Sequence, residues 1–145
     1  MFVGLQGAGK STFYKERFFQ THLRISLDML RTRHRERKLV QACLHLGQRF
    51  VVDNTNPTRA EREVYIAAAK EARFRTVGYY FQSKVDDCVR RNDERPTSEQ
   101  VPHRGIYGTA ARMTIPSRDE GFDALFYVRI AASRAFVVEE WKDDV

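Results

Sequence analysis

The stretch GLQGAGKST, residues 4–12, constrains the fold of this chain more than any other feature. It places Gly4 four residues ahead of Gly9, Lys10 and Ser11, directly after the apolar residues MFV. Such glycines let the backbone curl so that successive N–H groups converge on an anion, and the helix expected next adds its positive end. The pattern is that of a P-loop, in which the lysine reaches the β- and γ-phosphates and the hydroxyl ligates Mg²⁺. The predicted nucleotide-phosphate site comprises Gly7, Ala8, Gly9, Lys10, Ser11 and Thr12.

The composition indicates an ordinary globular chain with an excess of positive charge. Its 145 residues, 42% hydrophobic and 30% charged, suffice for one domain with a substantial core. The longest apolar runs are too short to cross a bilayer, the N-terminus shows no signal peptide, and the two cysteines match no metal spacing. We therefore expect a cytoplasmic protein with reduced thiols and no membrane contact. The net charge of +6 favours a polyanionic partner.

Apolar segments alternate with helical ones along the chain. LRISLD, RFVVD, RTVGYYF and ALFYVRI are predicted strands, FVVEEW is a possible further strand, and helices are expected over about 10–21, 29–46, 58–72 and 84–95. This alternation predicts the α/β class, with a parallel P-loop NTPase-type sheet flanked by helices. Because no linker divides the chain, residues 1–145 are predicted to form a single P-loop kinase domain, with a small helical lid at about 84–115.

Polar residues follow the second and third predicted strands, where ligands bind in parallel sheets. Asp28 ends the second strand, and a carboxylate beside the γ-phosphate can accept a proton from an attacking hydroxyl. The alternative for Asp28 is a helix N-cap. If the next turn is helical, Arg31 shares its face. Asp53 follows FVV as a Walker-B aspartate would, so Ser11 and Asp53 are the predicted magnesium residues, although the DNTN stretch is also compatible with a simple turn.

Two groups of basic residues lie outside the P-loop. Arg91 and Arg95 are four residues apart on a predicted helix, where arginines can clamp the γ-phosphate or simply pair with acidic neighbours in solvent. The run RTRHRERK, residues 31–38, has a charge density suited to a phosphate backbone. Runs of this kind are equally typical of a solvated helix face.

These motifs resemble the kinase domain of the polynucleotide kinases, which phosphorylate 5′-hydroxyl ends of DNA or RNA. The resemblance runs from FVGLQGAGKSTF through VVDNTNP and RRNDERP to PSRDEGFDALFYV, and so covers most of the chain. Many unrelated proteins share the P-loop. The VVDNTNP stretch and its spacing to the RxxxR pair are more specific and carry the resemblance.

The resemblance implies a role for each candidate residue. Lys10, Asp28 and Arg95 would be catalytic, with Asp28 as general base on the 5′-hydroxyl, and Arg91 and Arg95 would be lid arginines over the donor phosphates. The expected cofactors are Mg²⁺ and an NTP, with ATP as the default. No D-x-D-G-T phosphatase motif occurs, so a phosphatase or ligase partner activity would come from elsewhere. The acceptor side is predicted to include Arg31, Arg35, Asp53, Asn54 and Asn56.

Two other functions fit the same residues. One is a kinase of a small hydroxylated metabolite or antibiotic, because a fold does not determine its substrate. The other is a nucleotide-dependent binding module or regulatory ATPase. The basic run with Arg31 favours a polynucleotide over a neutral metabolite, and Asp28 favours an alcohol acceptor over a pure switch. The sequence leaves open the choice of DNA or RNA, of single strands or duplex ends, and the oligomeric state.

Overall fold

The computed structural model describes residues 1–144, and its central strands alternate with helices. The strands of this part of the chain are β1 (Phe2–Val3), β2 (Leu23–Ile25), β3 (Phe50–Val52), β4 (Val77–Phe81), β5 (Ala124–Ile130) and β6 (Phe136–Glu140). The helices are α1 (Lys10–Arg17), α2 (Leu27–Leu30), α3 (Arg33–Leu46), α4 (Arg59–Glu71), α5 (Val85–Asp93) and α6 (His103–Arg112), with 3₁₀ turns at Thr97–Glu99 and Arg118–Glu120. No helix within residues 1–144 is long and apolar enough to cross a membrane.

The strands form two hydrogen-bonded sets that lie side by side. One set has the order β1-β4-β5-β6, and the other pairs β2 with β3. The pairs β1–β4, β4–β5 and β2–β3 are parallel, which confirms the predicted α/β class with helices flanking a parallel sheet. Strand β6 runs antiparallel to β5, because a short turn joins them and a parallel pair would need a long crossover.

Only a few hydrogen bonds join the two sets of strands. The Gly4 N–H donates to the Thr55 carbonyl at 3.0 Å, and the Asn56 side-chain amide donates to the Phe2 carbonyl at 2.7 Å. Toward the amino ends of the strands, a cavity of about 260 Å³ lies between the two sets, with Met1 and Val77 on one side and Phe50 on the other. These two hydrogen bonds therefore join the two sets near the P-loop, and the cavity separates them toward their amino ends.

An aromatic cluster fixes the P-loop on the sheet. Phe2 of β1 lies 5.1 Å from Phe81 of β4 between ring centroids, and Phe13 of α1 lies 5.3 Å from the same ring. Burying rings of this size dominates core energetics, so β1 is central to the core although it has only two residues. The helix expected to reach Thr21 ends at Arg17, and Phe19 is 64% exposed beyond it.

The helix expected over 29–46 is divided in two, and this corrects the predicted relation of Asp28 to Arg31. Ser26 caps α2 and Thr32 caps α3, each by accepting a backbone N–H on its hydroxyl. Between them Arg31 adopts a left-handed conformation with φ 71°, which ends the first helix. Asp28 therefore lies inside α2 and is not its N-cap, and Arg31 is not one helical turn further along the same helix.

Helix α4 begins as the sequence predicts and carries a buried arginine that the sequence did not reveal. Thr58 and Glu61 form the predicted capping box. One turn on, the fully buried Arg62 guanidinium donates to the Glu120 carboxylate at 2.7 and 2.8 Å, and to the carbonyls of Asn56 and Thr114. It thus ties the end of the DNTN stretch to the segment that leads into β5.

Replacing Arg62 with Met should destabilise the fold by about 3–5 kcal/mol, because Glu120 would be left as a buried charge without its partner. Urea denaturation measures the free energy of unfolding. Arg59→Met, at the exposed pair with Asp119, is the matched control and should change it little. Equal effects of the two substitutions would contradict a stabilising role for the buried pair.

Candidate functional site

The P-loop wraps around a buried lysine at the start of α1. Gly9, with φ 96°, is the N-cap, and the Lys10 ammonium donates to the carbonyls of Gly4 at 2.9 Å and Leu5 at 2.7 Å. Lys10 is only 9% exposed, and burial lowers its pKa to about 8. The carboxylates of Asp53 and Asp28 oppose this shift, whereas the Arg95 guanidinium adds to it. Burial is thus the main reason why the Lys10 ammonium loses its proton more easily than an exposed lysine does.

Helix α5 packs directly on the P-loop. A Cβ added at Gly7, whose φ is 81°, would lie 2.4 Å from the Cys88 carbonyl oxygen, so only glycine permits this approach. The Arg91 side chain donates from Nε to the Gly7 carbonyl at 2.7 Å. Arg91 thus holds the loop to α5, while Arg95 is half-buried one turn further on. Of the remaining P-loop positions, Ala8 is buried and Thr12 is exposed.

The predicted metal residues are neighbours and share a third partner that the sequence did not single out. The Ser11 hydroxyl donates to Asp53 Oδ2 at 3.0 Å. Arg24, in the middle of β2, donates from Nε to the same carboxylate oxygen at 2.8 Å. Its Nη2 donates to Ser11 Oγ at 3.0 Å. The sequence does place this arginine inside a short apolar strand, directly before Ile25, and a charge in that position indicates a partner in the interior.

The Ser11 and Asp53 oxygens fit a magnesium ion, because Mg²⁺ prefers hydroxyl and carboxylate oxygens. Asp53 is 4% exposed, and its negative charge is already balanced by Arg24. A metal held by these two oxygens would lie close to the Arg24 guanidinium, which already contacts both of them, so the two positive charges would repel each other.

The acceptor-side candidates are distributed between the surface and the interior. Asp28, Arg31 and Arg35 are exposed on the segment around α2 and the start of α3, and Arg35 donates to the Leu30 carbonyl at 3.3 Å. Asn54 is half-buried, and its side chain is hydrogen-bonded to the Leu27 N–H. Asn56 is buried and bonded to β1, so the structure does not bring it to the open face with the others.

The basic run of residues 31–38 contains a buried acid that sequence reasoning missed. Glu36 is 3% exposed and lies on the face of α3 that also buries Val40 and Cys43. Glu36 precedes these apolar residues by four and seven positions, a spacing that places all three on one helix face and so indicates that Glu36 is buried. Arg33 pairs with Glu36 at 3.1 Å, and both Arg33 and Arg37 are exposed to solvent. The run is therefore only in part a solvated surface.

Comparison with known proteins agrees with this fold. Residues 1–115 match the family described as AAA domain, and the chain therefore belongs to that family. The gluconokinase of Sinorhizobium meliloti 1021 superposes with a TM-score of 0.64 at 16% identity, over 90% of this chain and 81% of its own. Kti12 of Chaetomium thermophilum, solved with ADP-AlF3, superposes with a TM-score of 0.62 at 19% identity, over 92% of this chain and 90% of its own. The chain has the P-loop kinase fold.

One curated relative is similar in sequence. The bifunctional polynucleotide phosphatase/kinase of Schizosaccharomyces pombe (strain 972 / ATCC 24843) is 28% identical over 125 residues. The match covers 83% of this chain and 30% of that protein. The chain therefore spans less than a third of the relative's length.

Nucleotide affinity should fall as the pH is raised above 8, because the Lys10 ammonium, with its pKa lowered to about 8, then loses the proton that pairs with phosphate. The loss should be at most about tenfold per pH unit, as expected for one proton. Titration of a fluorescent nucleotide between pH 7 and 9.5 measures it. Lys10→Ala should bind weakly with no such slope; a slope that persists in this variant would assign the proton to another group.

Proposed function

We propose that this chain is a polynucleotide kinase that transfers the γ-phosphate of an NTP, with ATP as the default donor, to the 5′-hydroxyl end of DNA or RNA. The observation that carries the proposal is the arrangement around Lys10. Lys10 is buried in the P-loop beside Ser11, whose hydroxyl donates to Asp53. Asp28 lies on α2, directly after β2, and Arg95 lies just beyond the end of α5, the helix that packs on the loop at Gly7. A phosphate held by Lys10 would therefore have a base and a second cation nearby.

The P-loop side would bind and orient the donor. Backbone N–H groups of the loop and the Lys10 ammonium would hold the β- and γ-phosphates, and Arg91 would keep the loop in shape through the Gly7 carbonyl. Arg95 would stabilise the charge that develops on the transferred group. Mg²⁺, held by Ser11 and Asp53 when bound, would supply further neutralisation of the phosphate charge.

On the acceptor side, Asp28 would act as the general base. Its carboxylate would take the proton of the 5′-hydroxyl as that oxygen bonds to the γ-phosphorus, and the bond from phosphorus to the bridging oxygen would break to release the nucleoside diphosphate. Arg31 would hold the phosphate next to the acceptor nucleoside, with Arg35 beyond it. Both side chains are exposed next to α2 and so could contact a nucleic-acid strand.

The relative's name supports a polynucleotide acceptor and also limits the proposal. That protein is named as bifunctional, and only 30% of its length is matched. A phosphatase or ligase step would therefore be the work of a separate partner or region. The second candidate is a kinase of a small hydroxylated metabolite or antibiotic, the class to which the name of the similar gluconokinase belongs.

The test is transfer of labelled γ-phosphate to a panel of acceptors: a 5′-hydroxyl DNA strand, a 5′-hydroxyl RNA strand, a nucleoside 3′-phosphate and small polyols. Label at the 5′ ends of the oligonucleotides is the expected result. Label on the polyols alone would favour the metabolite kinase. Hydrolysis of the nucleotide without any labelled acceptor would favour a regulatory ATPase.

Asp28→Asn keeps the shape of the side chain but removes the proton acceptor, so phosphoryl transfer should fall by roughly 10²–10⁴. Nucleotide affinity, measured by fluorescence titration, should stay near the wild-type value. Because Ser26 and not Asp28 caps α2, loss of helix capping does not explain such a fall. Transfer at close to the wild-type rate would exclude Asp28 as the base.

If a nucleic-acid strand binds along α3, the salt dependence of its binding constant should be set by the exposed basic residues of that helix. For single strands the slope of log K against log salt changes by about 0.7 per phosphate contact, so Arg35→Gln with Arg37→Gln should flatten it by about 1 to 1.5. The matched control replaces Arg73 and Arg75, which are exposed next to the amino end of β4, away from the P-loop edge. If both pairs flatten the slope equally, charge alone and not this surface attracts the strand.

A further inference from the structure

A hydrogen-bonded chain connects the buried Glu36 with the helix that carries Asp28. Glu36 Oε2 accepts from the Asn54 side-chain amide at 2.7 Å. Asn54 Oδ1 in turn accepts from the Leu27 N–H at 2.9 Å. Leu27 is the first residue of α2 and precedes Asp28 directly. Glu36 is therefore two hydrogen bonds away from the backbone next to the proposed base.

The other oxygen of Glu36 is held as well. Oε1 accepts from Arg33 at 3.1 Å and from the Tyr65 hydroxyl of α4. Burial raises the pKa of Tyr65, which keeps that hydroxyl protonated as a donor. Both carboxylate oxygens are thus engaged by donors from three parts of the chain, and the side chain has a single orientation.

The polarity of this chain allows only one orientation of the Asn54 amide. A carboxylate can only accept and a backbone N–H can only donate, so Asn54 must direct its NH₂ to Glu36 and its oxygen to Leu27. Helix α2 has four residues and cannot fix its own direction, because so short a helix gains little from its internal hydrogen bonds. Its position therefore depends on such outside contacts.

We propose that Glu36 and Asn54 are positioning residues, which set the place of the Asp28 carboxylate relative to Lys10 through the Leu27 N–H. The proposal rests on the proposed function, in which Asp28 is the base. It also gives Asn54 a role different from direct acceptor binding, because its oxygen and one of its amide hydrogens are used within the protein. Tyr65 and Arg33 support Glu36 and act one step further away.

The roles of donor and acceptor in this chain of hydrogen bonds can be tested by exchanging the carboxylate at position 36 and the amide at position 54. Glu36→Gln places an amide NH₂ against the Asn54 NH₂. Flipping the Asn54 amide moves the conflict to the Leu27 N–H, and flipping the new amide turns its NH₂ toward the Arg33 guanidinium, which cannot accept. Asn54→Asp places two carboxylates against each other. The double variant Glu36→Gln/Asn54→Asp restores a match, because the carboxylate now at position 54 would accept from both the amide at position 36 and the Leu27 N–H. The net charge of this double variant equals that of the wild type.

We expect each single substitution to lower kcat by about 10- to 100-fold, as displacement of a reacting group does, with little change in KM for the nucleotide. The double variant should recover most of this loss, a coupling that independent sites would not show. Glu63→Gln, an exposed position on α4, is the charge-matched control and should leave kcat unchanged. A double variant no better than the worse single one would overturn the proposal.

A second measurement does not depend on activity. Protection of the Leu27 amide against hydrogen exchange should be weakened in both single variants, because the side chain at position 54 is displaced by its mismatch with position 36. It should be regained in the double variant, while thermal unfolding reports any general loss of stability. If the wild type phosphorylates no acceptor but the exchange pattern holds, the proposed function fails and the positioning of α2 stands. If Leu27 stays protected in both single variants, the positioning role is wrong whatever the activity.

Discussion

The buried carboxylate of Asp53 is the point on which the rest of the site depends. It directly follows β3, accepts the Ser11 hydroxyl from the first turn of α1, and pairs with Arg24 of β2 at 2.8 Å. A carboxylate buried to this extent is stable only when it is paired and hydrogen-bonded. One ion pair and one hydroxyl therefore link the P-loop to β2 and β3, whose mutual register is set by their backbone pairing.

Most polar residues of the site are held by other parts of the protein. Lys10 is bonded to two loop carbonyls, Arg91 to the Gly7 carbonyl, Asn54 to Leu27 and Glu36, and Asn56 to β1. Such bonds fix side chains before any ligand arrives, which lowers the cost of ordering them in a complex. These parts of the candidate site are consequently preorganised, whereas Thr12, Asp28, Arg31 and Arg35 are exposed.

The sequence predicts the parts of the molecule that depend on local patterns. Three such features are predicted from residues that are close together in the chain: the P-loop, the strand–helix alternation and the Thr58–Glu61 capping box. The break at Arg31 was missed because the apolar and basic residues continue in a helical pattern across it. The caps at Ser26 and Thr32, which start two separate helices, outweigh this pattern in the structure. Arg24 and Glu36 were missed for another reason: their partners, Asp53 and Asn54, are distant in sequence, and only the fold shows that the charges are matched.

The narrow connection between the two sets of strands has a consequence for how proteins of this fold diversify. The P-loop follows β1 and α5 follows β4, whereas α2 with Asp28 and α3 with its basic residues follow β2. Since a few hydrogen bonds and Asp53 are what join them near the loop, one set could change its lengths and surface residues while the other kept its geometry. The set containing β1 and β4 could in this way keep a constant shape while the set containing β2 and β3 acquired different loops and surfaces.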